Sequence, residues 1–128
     1  MIRKTLVSAA ALLAALSLAA PAGAVETAMQ LTLTLDGNAQ RDVVTYQCGE
    51  DQTPLRVEYI NAEPIFLAIL PVEEETLIFV NVISGSGARY ASGPYVWWTR
   101  GAEASLYDEM AGEDAEPVSS CIEVNDIP

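Results

Sequence analysis

Ser84-Gly85-Ser86-Gly87-Ala88-Arg89-Tyr90-Ala91-Ser92-Gly93-Pro94-Tyr95-Val96-Trp97-Trp98-Thr99-Arg100-Gly101 concentrates the turns, aromatic residues and cations from which the architecture follows. Glycine-serine turns at Ser84 to Gly87 and at Ser92 to Pro94 each precede an aromatic-rich segment, the pattern of two short strands with loops presented at one end. Neighbouring strand residues face opposite ways. One of Trp97 and Trp98 therefore belongs in a core with Tyr90, and the other lies outside, where it anchors a partner or covers the sheet. Alternation does not say which. Arg89 and Arg100, two of very few basic residues, fall inside the same stretch.

Outward from this centre the same period-two grammar recurs. Upstream, Met29, Leu31, Leu33 and Leu35 alternate with Gln30, Thr32 and Thr34, and Asp36-Gly37-Asn38 offers a turn. Val44, Tyr46 and Cys48 then alternate with Val43, Thr45 and Gln47, which predicts a hairpin with the preceding strand. Leu55, Val57 and Tyr59 predict a third strand. Two short apolar runs follow, Ile65 to Leu70 ended by Pro71 and Thr76 to Ile83, with Glu73-Glu74-Glu75 on the tip between them. Downstream, Ala102, Ala104 and Leu106 alternate with polar residues, residues 108 to 117 form an acidic solvated loop, and Val118 to Val124 brings Cys121 back to the sheet. Roughly eight short strands at regular spacing define a small all-β domain, either a sandwich or a closed barrel. Periodicity leaves both open.

The chain starts with Arg3 and Lys4, an apolar run from Leu6 to Ala20, and Ala22-Gly23-Ala24, the pattern of a secretory signal peptide cleaved after Ala24. The run is shorter than the roughly 20 residues a membrane span needs, and no cysteine near the cleavage site offers a lipid attachment point. Residues 25 to 128 then make one domain, exported to the periplasm. It carries four arginines against 18 carboxylates, a formal charge of −14, with no lysine or histidine. Such a surface repels nucleic acid and anionic lipid, and it draws in a cationic partner or simply keeps the protein soluble. In an oxidising compartment Cys48 and Cys121 read as a disulfide, which closes a loop long enough to stabilise the fold by about 4 kcal/mol.

The missing residue types exclude much chemistry. Without histidine or lysine after the leader, no serine or cysteine has an ordinary base beside it. Carboxylate pairs suited to glycoside cleavage are crowded into loops, where solvation is the simpler reading. Glu113-Asp114-Ala115-Glu116 lacks the ligand spacing of a calcium loop, and the expectation is no metal, no cofactor and no catalysis.

Ser86-Gly87-Ala88-Arg89-Tyr90, then Trp97-Trp98-Thr99-Arg100-Gly101 and Ala104-Ser105-Leu106, with Tyr46-Gln47-Cys48 upstream and Cys121 downstream, resemble the bacterial inhibitors of C-type lysozyme. The likeness runs from about Tyr46 to Cys121. It implies an eight-stranded antiparallel barrel closed by a Cys48 to Cys121 disulfide, a C-type lysozyme as partner, and a binding site at Ser86, Gly87, Tyr90, Thr99 and Arg100. Ser86, in the S-G-x-x-Y motif, and Arg100, in the W-x-basic-G motif, are implied to enter the lysozyme cleft and engage its two catalytic carboxylates. The family usually carries lysine where this chain has Arg100, and the absent lipid-attachment cysteine resembles the soluble periplasmic members. Taken without the resemblance, Ser86 is a turn former, Tyr90 a core residue and Arg89 half of a cross-strand ion pair. An alternative function is a non-catalytic module that binds envelope glycan or protein through its outer tryptophan and surface tyrosines.

Overall fold

The computed structural model describes residues 23, 30, 32–35 and 37–124. Eight strands follow one another in sequence: β1 (Gln40–Cys48), β2 (Thr53–Ala62), β3 (Ile65–Val72), β4 (Glu75–Val82), β5 (Ala88–Ser92), β6 (Tyr95–Arg100), β7 (Glu103–Asp108) and β8 (Ser119–Glu123). Each pairs antiparallel with the next, and β8 returns to β1, so the sheet is a closed up-and-down barrel. Closure removes the exposed edges that a small isolated sheet has to protect. It also settles the question of barrel against sandwich.

Strand alternation decides the filling. Tyr46, Val57, Ala68, Leu70, Phe79, Tyr90, Trp97, Ala104 and Leu106 point inward as one core cluster, and Trp97, Phe79, Leu70 and Val57 are completely enclosed. The outward positions between them, such as Thr45, Arg56 and Ile78, are exposed. Cys48 and Cys121 stand opposite one another where β1 meets β8 and are joined by a disulfide. Three residue pairs make up that seam, as few as join β4 to β5, so the covalent bond reinforces one of the two thinnest places in the ring.

Three expectations need correction. Of the strand predicted from Met29 to Leu35, Met29 and Leu31 lie outside the described residues; Gln30 and residues 32–35 form no strand, and Leu33 is 59% exposed. The reason is topological. The ring is complete with β8 against β1, and β2 takes the place beside β1 that the predicted hairpin partner would have filled. Pro71 does not end β3, which runs on to Val72 with Pro71 opposite Thr76, one step from the turn. Within the acidic segment after β7, residues Glu109–Ala111 form one 3-10 turn, capped by the Asp108 carboxylate accepting from the Met110 amide at 2.9 Å. The expected leader lies outside the described residues except for Gly23.

Candidate functional site

Successive strands run in opposite directions, so the connections alternate between the two ends of the barrel. The β4–β5 loop (residues 83–87) and the β6–β7 turn (residues 101–102) share one end, and the turn at Gly93-Pro94 lies at the other. The sequence pattern had both glycine-serine turns at the same end. The partner of the Ser86 loop is instead the turn after Arg100.

β5 and β6 bring these two segments together through the pairs Ala88 with Thr99 and Arg89 with Trp98. Gly87 makes the approach possible. Its φ is +64°, and a Cβ there would lie 2.1 Å from the Thr99 carbonyl oxygen and 2.8 Å from Arg100 Cγ. Only glycine fits, on both conformational and steric grounds. One residue earlier, the Ser86 carbonyl oxygen accepts from Ser84 Oγ at 2.5 Å and from the Trp98 indole Nε1 at 2.9 Å. The loop backbone is thus pinned twice, and Ser86 is left exposed at the tip.

The outer face of β5 and β6 carries Arg89, Trp98 and Arg100. The Arg100 guanidinium carbon lies 3.8 Å from the Trp98 ring centroid and that of Arg89 lies 5.1 Å away, both cation–π contacts. Their charges are used differently. Arg89 Nη2 donates to Glu109 Oε1 at 3.3 Å, and its Nε is shielded from solvent with no acceptor among the described residues. Arg100 is exposed and forms no ion pair among the described residues, although Glu103 stands opposite it across the turn. In so acidic a chain, an oriented guanidinium with no carboxylate partner among the described residues can pair with an anion on another molecule.

Beneath the loop the barrel is stiffened by aromatic groups. Trp97 Nε1 donates to the Tyr59 hydroxyl at 2.9 Å, that hydroxyl is 2.8 Å from the Tyr46 hydroxyl, and Tyr46 packs edge-on against Trp97 at 5.3 Å. Tyr90 leans on Tyr59 at 5.8 Å. Burial pushes the phenol pKa values of Tyr46, Tyr59 and Tyr90 above the ordinary tyrosine range, and the interior holds all three neutral.

Of the five residues singled out in the sequence, Ser86, Gly87 and Arg100 are exposed at one end of the barrel. Thr99 is half-buried, its hydroxyl 3.4 Å from the Ala88 carbonyl oxygen. Tyr90 is 8% exposed and belongs to the core, so it carries the loop from below. Arg89 pairs with Glu109 of the 3-10 turn and not with a cross-strand carboxylate. The tryptophan question is settled: Trp97 is inside and Trp98 outside. Missing from the sequence reading was the part Trp98 plays as the group that touches both Arg100 and the Ser86 carbonyl. The signal was present, since residues two apart on a strand share a face.

Known proteins bear on this geometry. Residues 46–115 match the family model described as membrane-bound lysozyme inhibitor of C-type lysozyme. A curated protein of that description from Pseudomonas aeruginosa is 43% identical over 101 residues, spanning 77% of this chain and 79% of the relative. Another from Cupriavidus necator is 41% identical over 85 residues, spanning 65% of this chain and 67% of its own. Among solved structures, that of Pseudomonas aeruginosa MliC in complex with hen egg white lysozyme matches with a TM-score of 0.61 and 39% identity, over 77% of this chain and 97% of the solved one. With more than half the chain matched by the family model and the curated relatives aligned over most of their length, this chain belongs to the family of membrane-bound lysozyme inhibitors of C-type lysozyme.

Proposed function

We propose that this chain inhibits C-type lysozyme by inserting the Ser86 loop and the Arg100 side chain into the enzyme's active-site cleft. The observation that carries the reading is Arg100 itself, an exposed cation with no ion-pair partner among the described residues, stacked on Trp98 beside a loop tied to the same indole. The relatives named as inhibitors, and the solved relative in complex with hen egg white lysozyme, support the choice of partner. Lysozyme cleaves with one carboxylic acid and one carboxylate flanking the scissile bond. Arg100 pairs with one of them through two N–H donors and the Ser86 hydroxyl bonds the other. The groups that cleavage needs are then occupied, and the loop fills the space of the substrate. The chain turns nothing over in this role.

Residues 1–24 act as the export signal, cleavage after Ala24 releases residues 25–128 as one domain, and the periplasm is where it meets lysozyme. The −14 charge of that domain accelerates encounter with a cationic enzyme. The alternative of a glycan- or protein-binding module would use the outer tryptophan and surface tyrosines, and the two guanidinium groups over the Trp98 ring favour the inhibitor reading instead.

The test is lysis of bacterial cell walls by a C-type lysozyme in the presence of purified residues 25–128. Wild-type protein blocks lysis near equimolar ratio. Ser86→Ala combined with Arg100→Ala weakens inhibition by about 100-fold, the scale of losing a desolvated charged contact, with an unchanged circular dichroism spectrum. Undiminished lysis at excess wild-type protein overturns the proposal.

A further inference from the structure

The opposite end of the barrel holds a cavity of about 620 Å³. It opens between the β1–β2, β3–β4 and β7–β8 connections, away from the Ser86 loop, and Cys48 forms part of its wall. Leu55, Val72, Leu106 and Val118 supply apolar surface and Tyr95 an aromatic one. Val72 and Leu106 are core residues almost fully enclosed, so the cavity reaches to the packed interior. Its volume falls in the range of sites that enclose small organic ligands, and the mouth of a β-barrel is a usual place for one.

The charge around this mouth is of one sign. Asp51, Glu73 and Asp108 line it and no arginine does. Their local contacts leave the charges uncompensated: Asp51 accepts from Thr53 Oγ1 at 2.8 Å and Asp108 from the Met110 amide, neither a cation. Among the described residues the ion pairs are Arg41 with Glu58 and Arg89 with Glu109, which involve none of the three. Apolar walls under a ring of unpaired carboxylates complement a ligand with an apolar body and a cationic head.

We propose that this mouth is a second binding site, separate from the Ser86 and Arg100 end, and that it takes a short cationic amphipathic peptide segment. A leucine-sized side chain enters between Leu55, Val72 and Leu106, and flanking lysine or arginine groups meet Asp51, Glu73 and Asp108. The carboxylates act as rim charges, each worth about twofold in affinity, and burial of the apolar side chain supplies the rest.

The probe is the peptide acetyl-Leu-Lys-Leu-Arg-amide, titrated into ¹⁵N- and methyl-labelled residues 25–128 and followed by NMR and calorimetry. Expected are saturable shifts at Leu55, Val72, Leu106 and Val118 with none at Ser86 or Arg100, and an affinity unchanged when lysozyme is already bound. Asp51→Asn, Glu73→Gln and Asp108→Asn together keep the shape and the hydrogen-bond acceptors, and they weaken the peptide about tenfold. Acetyl-Leu-Gln-Leu-Gln-amide binds more weakly than the cationic peptide, as does spermidine, which has charge without side chains. Equal binding of spermidine reduces the mouth to a patch of surface charge and overturns the proposal. So does equal binding of the neutral peptide, an unchanged affinity in the triple variant, or no saturable shift at millimolar peptide.

Discussion

Trp97 and Trp98 are consecutive residues of one strand, and they serve the two sides of the barrel wall. Trp97 is wholly enclosed, its indole N–H given to Tyr59 and its ring set against Tyr46. Trp98 is on the outside, its N–H given to the Ser86 carbonyl and its ring under the guanidinium groups of Arg89 and Arg100. The chemistry is the same on both sides, an aromatic surface with one directed donor, yet the inner copy organises the fold and the outer one organises the site. Strand alternation therefore separates the core from the proposed lysozyme-binding face within a six-residue element, and substitutions should separate them too.

The most severe way to break the inner side is Trp97→Ala, which empties the centre of the core and removes a buried hydrogen bond. A loss of about 3–5 kcal/mol of unfolding free energy is expected by urea denaturation, with inhibition falling only in proportion to the unfolded fraction. Next in size is alkali. Tyr46, Tyr59 and Tyr90 have phenol pKa values raised by burial, so the folded state keeps protons that the unfolded chain gives up. Stability is complete below about pH 10, the unfolded tyrosine value, and falls as pH rises above it, by up to about 1.4 kcal/mol per pH unit for each tyrosine. Tyrosinate absorbance that rises in step with the unfolding transition confirms this; free titration of all the tyrosines in the folded protein contradicts it.

On the outer side, Gly87→Ala drives a methyl group into the Thr99 carbonyl and the Arg100 side chain. It should cost about 1–3 kcal/mol, read as weaker lysozyme binding by calorimetry, because the loop at the end of the barrel can yield where the core cannot. Trp98 has the mildest expected effect and the most informative one. Trp98→Phe keeps a ring for Arg100 and deletes the donor to Ser86, whereas Trp98→Ala deletes both. Inhibition should fall in that order, by about 1 kcal/mol in total, with little change in the denaturation midpoint. Equal losses of stability in Trp97→Ala and Trp98→Ala would erase the division between the two sides.

Most of the barrel is legible in the sequence because its wall is written in period two. Tyr46 with Cys48, Leu55 with Val57, and Ala104 with Leu106 all face inward where alternation puts them. The same rule produced the error at residues 32–35, since alternation describes a surface able to pair and says nothing about whether a partner remains. In the site, the turn chemistry of Ser86-Gly87 and the exposed cation at Arg100 are readable from residue type. The ends that the two glycine-serine turns occupy are readable as well, because a single strand, Ala88–Ser92, separates them and an up-and-down sheet then puts them at opposite ends. Tyr90 lies in the S-G-x-x-Y motif and in the core at once, and only the three-dimensional arrangement shows that its ring packs under the loop.

The seam between β1 and β8 has a further consequence. Every other strand pairing joins neighbours in the sequence and can form as a local hairpin, whereas this one joins residues 73 apart at Cys48 and Cys121. Nearly all of the loop-closure entropy of the fold is therefore concentrated in three residue pairs and one covalent bond. The barrel is a meander rolled up and fastened once. The Cys48–Cys121 disulfide thereby fastens the first stave to the last, and with them a closed vessel with two different ends.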